Sequence, residues 1–304
     1  MVDLATIIVS YDVCDLLRGC LRSLKRSLAS VATEVWVVDC GSSDGTAAMV
    51  QQEFPWVKLL EADNVGFSRG NNLALRQILA RAGEEGLPRF VLLLNPDTEL
   101  PTAALSRMVE FIESHPEAGA VGPKLIRRDG SLDLACRRSF PTPMVSLFHF
   151  VGLGRLFPRS QLFGRYNLTY LDPDGISEVD SVVGAFMLVR GEILTRVGLL
   201  DETFFMYGED LDWALRIKRA GWKVLYNGTV SVIHLKRASS QQRSTQSLIA
   251  FYEAMLIFFR KHYAGQTPRL VRWLVVLAIY TRAGIALLLN HASPRELARL
   301  HAAH

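Results

Sequence analysis

EVWVVDCGSSDGT, Glu34 to Thr46, changes character halfway along. Up to Val38 it is apolar and β-branched, as a buried strand is; from Asp39 it turns small and polar, punctuated by Gly41 and Gly45, and a helical pattern follows. The same succession repeats through the first half. Thr6 to Val9, Val57 to Glu61 and Phe90 to Leu94 are strand-like, with helical patterns between them. Strand–helix–strand alternation implies right-handed crossovers, so the expected fold is α/β, a Rossmann-like, mostly parallel central sheet flanked by helices. Ligands of such sheets sit beyond the carboxyl ends of the strands. There the sequence places polar loops: Ser10-Tyr11-Asp12, Asp39 to Gly45, Asp63 to Gly66, and Asn95-Pro96-Asp97.

With 304 residues, 49% of them hydrophobic, the chain can bury a sizeable core, as one large domain or a domain with an appendage. Cys14, Cys20, Cys40 and Cys136 have neither metal-site spacing nor the density of a disulfide scaffold, which suits a reducing cytoplasm. The start, MVDLATIIVSYD, lacks a basic region before its short apolar run and reads as a strand, not a signal peptide. A net charge of +4 is mild. Without zinc spacing, RNP-type aromatics or a dense basic stripe, a nucleic-acid partner is not expected.

Beyond Pro123 a hairpin is expected around Asp129-Gly130, then a long irregular stretch from Cys136 to Gly175, the length of a lid or binding loop. A strand from Val179 to Val189, a helix, and two short strands ending at His234 follow. Two helices, about Ser244 to Tyr263 and Pro268 to Asn290, close the chain. In the second, Arg272, Thr281 and Arg282 interrupt the apolar runs, and Arg272, Arg282 and Asn290 share one side of a helical wheel. An interfacial helix fits that pattern better than a span; packing on the main domain or on another subunit fits equally.

The helix after the long stretch carries the most chemistry: FFMYGEDLDWALRIKRAGW, Phe204 to Trp222. At roughly 100° per residue, Glu209, Asp212, Arg216 and Arg219 gather on one side, read as the solvated face, with Asp212 and Arg216 paired one turn apart. Asp210 instead projects into the apolar arc of Leu211, Trp213, Ala214, Leu215 and Ile217. A carboxylate aimed there needs a partner or a raised pKa, and it suits a general base as well as a cap. Among the loops, Asp39 can accept hydrogen bonds from a base or ribose or simply close a turn. DNVGFSRGNN, Asp63 to Asn72, opens a helix whose start can hold a diphosphate. Asp97, ending LLLNPD, is either a cap or an oxygen ligand for a divalent cation.

Taken in order, IIVSYD, VVDCGSSDGT, NVGFSRGNN, LLNPD, VVGAFMLVRGE and FFMYGEDLDWALRIKRAGWKV closely resemble glycosyltransferase family 2, over roughly residues 4 to 262, and most nearly its bacterial rhamnosyltransferase-like branch. The resemblance implies a GT-A fold, a nucleotide-diphosphate-sugar donor, a divalent cation (Mg²⁺ or Mn²⁺) and inversion at the anomeric carbon. Carried over, it places Ser10, Tyr11 and Asp39 at the nucleoside, Asp44, Gly66, Arg69, Asn71 and Asn95 around the donor, Asp97 on the metal and Asp210 as catalytic base. His234 matches a position where the family often has a histidine near metal or diphosphate, against the plainer reading of a structural histidine at a strand end. Asn95 stands where the metal motif has its first acid, and Cys40 where asparagine is commoner.

The implied organisation is a glycosyltransferase domain over 1–240, with a donor half of about 1–123 and an acceptor half of about 124–240, followed by C-terminal helices over 241–304 that associate with membrane or with a second copy. The stretch Arg137 to Tyr170, with Phe204, Phe205 and Tyr207, is expected to shape the acceptor site, and Ala238 to Thr245 to close over the donor. The function expected is an inverting sugar transferase, with dTDP-rhamnose a candidate donor and a saccharide or lipid-diphosphate-linked saccharide as acceptor. It would work in the cytoplasm or peripherally at the inner face of the cell membrane. Alternatives are a UDP-sugar transferase, a nucleotidyltransferase, which lacks its basic glycine-rich signature here, and a non-catalytic carbohydrate-binding scaffold.

Overall fold

The computed structural model describes residues 3–28, 32–235 and 245–291. Its first half runs β1 (Leu4–Ser10), α1 (Cys14–Ser27), β2 (Thr33–Asp39), α2 (Thr46–Glu53), β3 (Lys58–Glu61), α3 (Phe67–Glu85) and β4 (Phe90–Leu94). These strands pair in parallel in the order β3-β2-β1-β4, with Ser10 opposite Asp39 and Ile8 opposite Leu94. Every residue of β1 and β4 is buried, the mark of strands covered on both faces. Because β2 lies on one side of β1 and β4 on the other, the winding reverses between β1 and β4, and a crevice opens at their carboxyl ends.

The chain continues through β5 (Thr98–Glu99), α4 (Ala104–Ser114), β6 (Ala118–Ile126), β7 (Arg137–Arg138), α5 (Pro143–Phe150), α6 (Leu153–Leu156), β8 (Ile176–Val179) and β9 (Ser181–Val182). It ends with β10 (Phe186–Arg190), α7 (Ile193–Arg196), α8 (Glu209–Arg219), β11 (Lys223–His234), α9 (Thr245–His262) and α10 (Arg269–His291). Among the described residues the sheet has nine strands, extending from β4 as β10-β6-β11-β5 with β8 also on β11; β7 and β9 form a separate ribbon. β10 is antiparallel to both β4 and β6, and β6 and β11 are parallel. The expected boundary near residue 123 falls inside β6.

Several elements differ from the expectation. The strand foreseen over Val179 to Val189 is interrupted: the chain leaves β11 after Val179, pairs as β9 with β7, and rejoins the main sheet at Phe186, sending the Gly184 N–H to Asp210 at 3.1 Å on the way. The two short strands before His234 are one strand whose register on β6 shifts between Asn227 and Ser231. The stretch 136–175 contains α5, capped by Thr142 Oγ1 and opened by Pro143. Both ends of that excursion are tied by Arg137: its guanidinium stacks on the Tyr226 ring at 4.9 Å and donates to the carbonyls of Leu171 (2.7 Å) and Asp172 (2.6 Å). Arg137 is therefore an internal fastening, not part of a lid.

The reading of α8 needs the largest correction: Glu209, Asp210 and Asp212 are all buried, at 6%, 5% and 0% exposure. Of the face read as solvated, Asp212 is covered by α9, while Arg216 is partly buried and Arg219 exposed. Asp212 meets His262 Nε2 (2.7 Å), Lys261 Nζ (2.7 Å) and, as expected, Arg216 Nε (2.8 Å). Arg219 approaches His262 Nδ1 at 3.2 Å and can only donate, so the ring proton sits on Nε2 and points at Asp212. Burial alone would raise the Asp212 carboxyl, but His262, Lys261 and Arg216 outweigh it and hold it down to about 2.

Asp212→Asn should lower stability by about 2 kcal/mol in urea unfolding at neutral pH, because it gives up the charged hydrogen bonds from His262, Lys261 and Arg216. The folded value lies below the ordinary 3.8, so this contribution is complete above that pH and disappears as pH falls through about 2. The gap between wild type and variant should close over the same window.

Candidate active site

At the carboxyl ends of β1 and β2, Ser10 and Asp39 lie side by side in register, both nearly inaccessible. Asp39 accepts from the Ser42 hydroxyl and from the Ser42 N–H at 3.3 Å. The Ser10 hydroxyl is buried without a partner at this sheet edge. Tyr11 is half exposed beside it. The two loops are laced together: Asp12 N–H donates to Ser42 Oγ (2.9 Å) and Ser43 N–H to Asp12 Oδ1 (2.7 Å). Asp44 spends both oxygens on backbone, taking Cys14 N–H at 2.8 Å and Thr46 N–H at 3.1 Å, so it braces the starts of α1 and α2.

Gly66 opens α3 at φ +82°, and a Cβ there would lie 2.4 Å from the Phe205 carbonyl oxygen. That close approach lets Phe67 N–H donate to the same carbonyl at 2.7 Å, fastening α3 to the loop before α8. Next along, Arg69 pairs with Glu202 at 3.2 Å and stays largely exposed. Asn71 is buried; its amide donates to the Phe67 carbonyl (2.9 Å) while its Oδ1 has no partner. Asn72, which sequence reasoning passed over, exchanges hydrogen bonds with the Leu200 backbone at 2.9 and 3.1 Å and so completes the α3 attachment.

Asp210 sits at the centre. Its Oδ2 accepts from Arg138 Nη2 (2.5 Å) and Gly184 N–H (3.1 Å), and its Oδ1 from Leu211 N–H (2.7 Å). Burial works against the Arg138 charge, but Asp210 more than offsets it and the guanidinium pKa is raised. Glu209 Oε2 is buried without a partner. Burial, and then the neighbouring Asp210 charge, push the Glu209 carboxyl well up, since two carboxylates this close resist double ionisation. Nothing in the local sequence announced Arg138: it lies 72 positions from Asp210 and reaches it only through the β7–β9 ribbon.

Asp97 and His234 meet at the other end of the crevice, Oδ1 to Nε2 at 3.3 Å, because β5 and β11 place Thr98 opposite His234. His234 Nδ1 faces Asp133 Oδ2 at 2.9 Å. Burial opposes a charge on this ring, but Asp133 and Asp97 outweigh it and carry the imidazole up to about 9. With the Nε2 proton displaced, Asp97 and His234 would offer an oxygen and a nitrogen to a divalent cation, the imidazole held from behind by Asp133. No group of three or more such side chains forms a complete cage among the described residues. Diphosphate oxygens and water would supply the remaining ligands. Asn95 N–H donates to the Ala185 carbonyl (3.0 Å), and this bond links the Asp97 loop to Gly184 and thus to Asp210. Of the loop expected over Ala238 to Thr245, residues 238–244 lie outside the described residues.

Solved glycosyltransferases share this fold. A mannosyltransferase of Pyrobaculum calidifontis in complex with GDP-Man and Mn²⁺ superposes with a TM-score of 0.55 at 17% identity, over 99% of this chain and 80% of that one. S. aureus TarS 1-349 in complex with UDP-GlcNAc gives 0.53 at 16%, over 92% and 72%. The architecture is therefore the GT-A fold, a mixed sheet flanked by helices with a C-terminal helical extension. Residues 3–248 match the family described as "Glycosyltransferase like family 2", and the chain belongs to that family. Among curated proteins it is similar to the N-acetylglucosaminyl-diphospho-decaprenol L-rhamnosyltransferase of Mycobacterium tuberculosis, 32% identical over 82% of this chain and 84% of the relative. It is also similar to the Escherichia coli rhamnosyltransferase WbbL, 26% identical over 60% of this chain and 66% of the relative.

Gly66→Ala should destabilise the protein by about 2 kcal/mol or more, since it combines a positive φ with a backbone collision. Hydrogen exchange should show the start of α3 and the loop at Phe205 losing protection together.

Proposed function

We propose that the protein is an inverting glycosyltransferase that moves a sugar from a nucleotide-diphosphate donor to a lipid-diphosphate-linked saccharide in cell-surface polysaccharide assembly, at the cytoplasmic side of the membrane. L-Rhamnose from dTDP-rhamnose is the favoured donor, on the strength of the mycobacterial relative. The observation that carries the reading is Asp210: a buried carboxylate oriented by Arg138 and Gly184, reached through Asn95 and Ala185 from the Asp97–His234 pair.

In this reading the donor half of the domain supplies Ser10, Tyr11 and Asp39 to the nucleoside, and the start of α3, with Arg69 and Asn71, flanks the donor. Asp97 and His234 would hold a divalent cation, which when bound neutralises charge on the departing diphosphate. Asp210 accepts the proton of the acceptor hydroxyl as its oxygen attacks the anomeric carbon from the side opposite the leaving group. Arg138 positions that carboxylate and balances its charge before the proton arrives. Glu209, pushed toward its neutral form, limits the negative charge beside it.

The reading is tested by release of nucleoside diphosphate from a panel of dTDP-, UDP- and GDP-sugars, with Mg²⁺ or Mn²⁺ and with chelator. One donor should turn over, in a cation-dependent way. Asp210→Asn should cut the rate by about 10²–10⁴-fold with donor affinity little changed. Absence of binding to every donor would favour the scaffold.

Asp133→Asn removes the carboxylate behind His234 without touching the proposed ligands. The cation concentration giving half-maximal turnover should rise by about 10–100-fold.

A further inference from the structure

α10 carries an apolar face that no other described residue covers. Leu270, Trp273, Leu277, Tyr280, Ile285 and Leu288 fall within about 140° of the helix circumference, and Leu270, Trp273 and Leu288 are 73%, 75% and 71% exposed. The opposite side faces the protein: Ile279 is buried, Arg272 donates to the Ala264 carbonyl at 2.6 Å, and Arg282 donates to the Phe150 carbonyl at 3.3 Å. Arg282 also lies over the Phe150 ring at 5.0 Å, which brings α10 against α5. Burial and then the cations Arg155 of α6 and Arg282 of α10 depress the His149 imidazole, so the three helices meet around one side chain.

α5 and α6 are themselves exposed and apolar. Met144, Leu147, Val151, Leu156 and Leu162 are each more than half exposed. Hydrophobic surface on this scale marks an interaction site. The charge around it has one sign. Between residues 134 and 171, and again between 254 and 291, the chain has no Asp or Glu. Arg155, Arg159, Arg165 and Arg269 are exposed there.

We propose that α10 together with α5 and α6 forms a docking surface for an anionic phospholipid bilayer, with α10 lying in the interface. Exposed Trp and Tyr beside aliphatic residues suit the headgroup boundary, and the unopposed arginines suit anionic headgroups. Arg269–Asn290 has the length and a mean hydropathy of 1.7 that a span needs. A span, however, would place Arg272 and Arg282 in hydrocarbon and part them from the carbonyls they hold. A second copy of the chain would set two basic faces against each other. The surface also joins the site directly: from Arg138, the partner of Asp210, the chain passes through Ser139 to Pro141 into the Thr142 cap of α5. Docking would thus present a lipid-anchored acceptor to Asp210, and in that purpose the inference rests on the function proposed above.

The test uses the full chain and flotation with vesicles of phosphatidylcholine, with and without phosphatidylglycerol. Wild type should float with the anionic vesicles and release at high salt. Trp273→Glu/Leu277→Glu and Leu147→Glu/Leu156→Glu should each weaken partition by roughly a hundredfold, about tenfold for each large apolar side chain lost from the interface. Acceptor-independent release of nucleoside diphosphate should be the same in all three proteins. Failure of wild type to float with anionic vesicles, or flotation of both variants like wild type, would overturn the proposal. So would a wild-type dimer that Trp273→Glu/Leu277→Glu dissolves without any vesicle binding. Loss of donor turnover in every protein with flotation intact would count against the function and leave the docking surface standing.

Discussion

Three carboxylates enter the interior within four residues at the start of α8, and the surrounding structure is arranged to receive them. A buried charge persists only if it is paired and hydrogen-bonded. Asp212 is met by α9 through Lys261 and His262, Asp210 by β7 through Arg138 and by the Gly184 break in the sheet, and Glu209 by a shift toward its neutral form. Each answer brings a segment distant in sequence to one place. The helix that reads most simply in isolation therefore organises the second half of the molecule.

Backbone proximity adds a second constraint. Gly66 allows Phe205 to approach α3, Asn72 grips Leu200, and the chain reaches α8 through Tyr207 and Gly208, both at positive φ (71° and 81°). A non-glycine residue held there is strained, and such strain collects at functional sites. The crevice between β1 and β4 is thus closed on one side by backbone contacts that admit little variation. On its other side Asp133, Asp97 and His234 form one buried polar chain, in which a carboxylate distant in sequence orients the imidazole.

Much of this was legible in the sequence because it is periodic or local. Strand–helix alternation places Ser10, Asp39 and Asn95 at one sheet edge whatever the rest of the chain does. A break in a pattern is as informative as the pattern: Asp210 interrupts an apolar arc, and the structure buries it. Asp212 shows the limit. A wheel registers which residues share a face but not what covers that face, and α9, starting more than 30 positions later, took Asp212 out of the solvent.

Composition and period alone determined the α/β alternation, the polar loops at one edge and the inward acid, since each follows from backbone geometry and apolar burial within a short window. Tertiary structure decided which partners answer the buried charges. Arg138 for Asp210, Asp133 for His234 and His262 for Asp212 are separated from their mates by 72, 101 and 50 positions. Pairing over such distances is set by how strands register and helices cross, and no local propensity records it. The same holds for the apolar faces of α5, α6 and α10. Their hydrophobicity is written in the sequence, but only the packed chain shows that they stay exposed among the described residues.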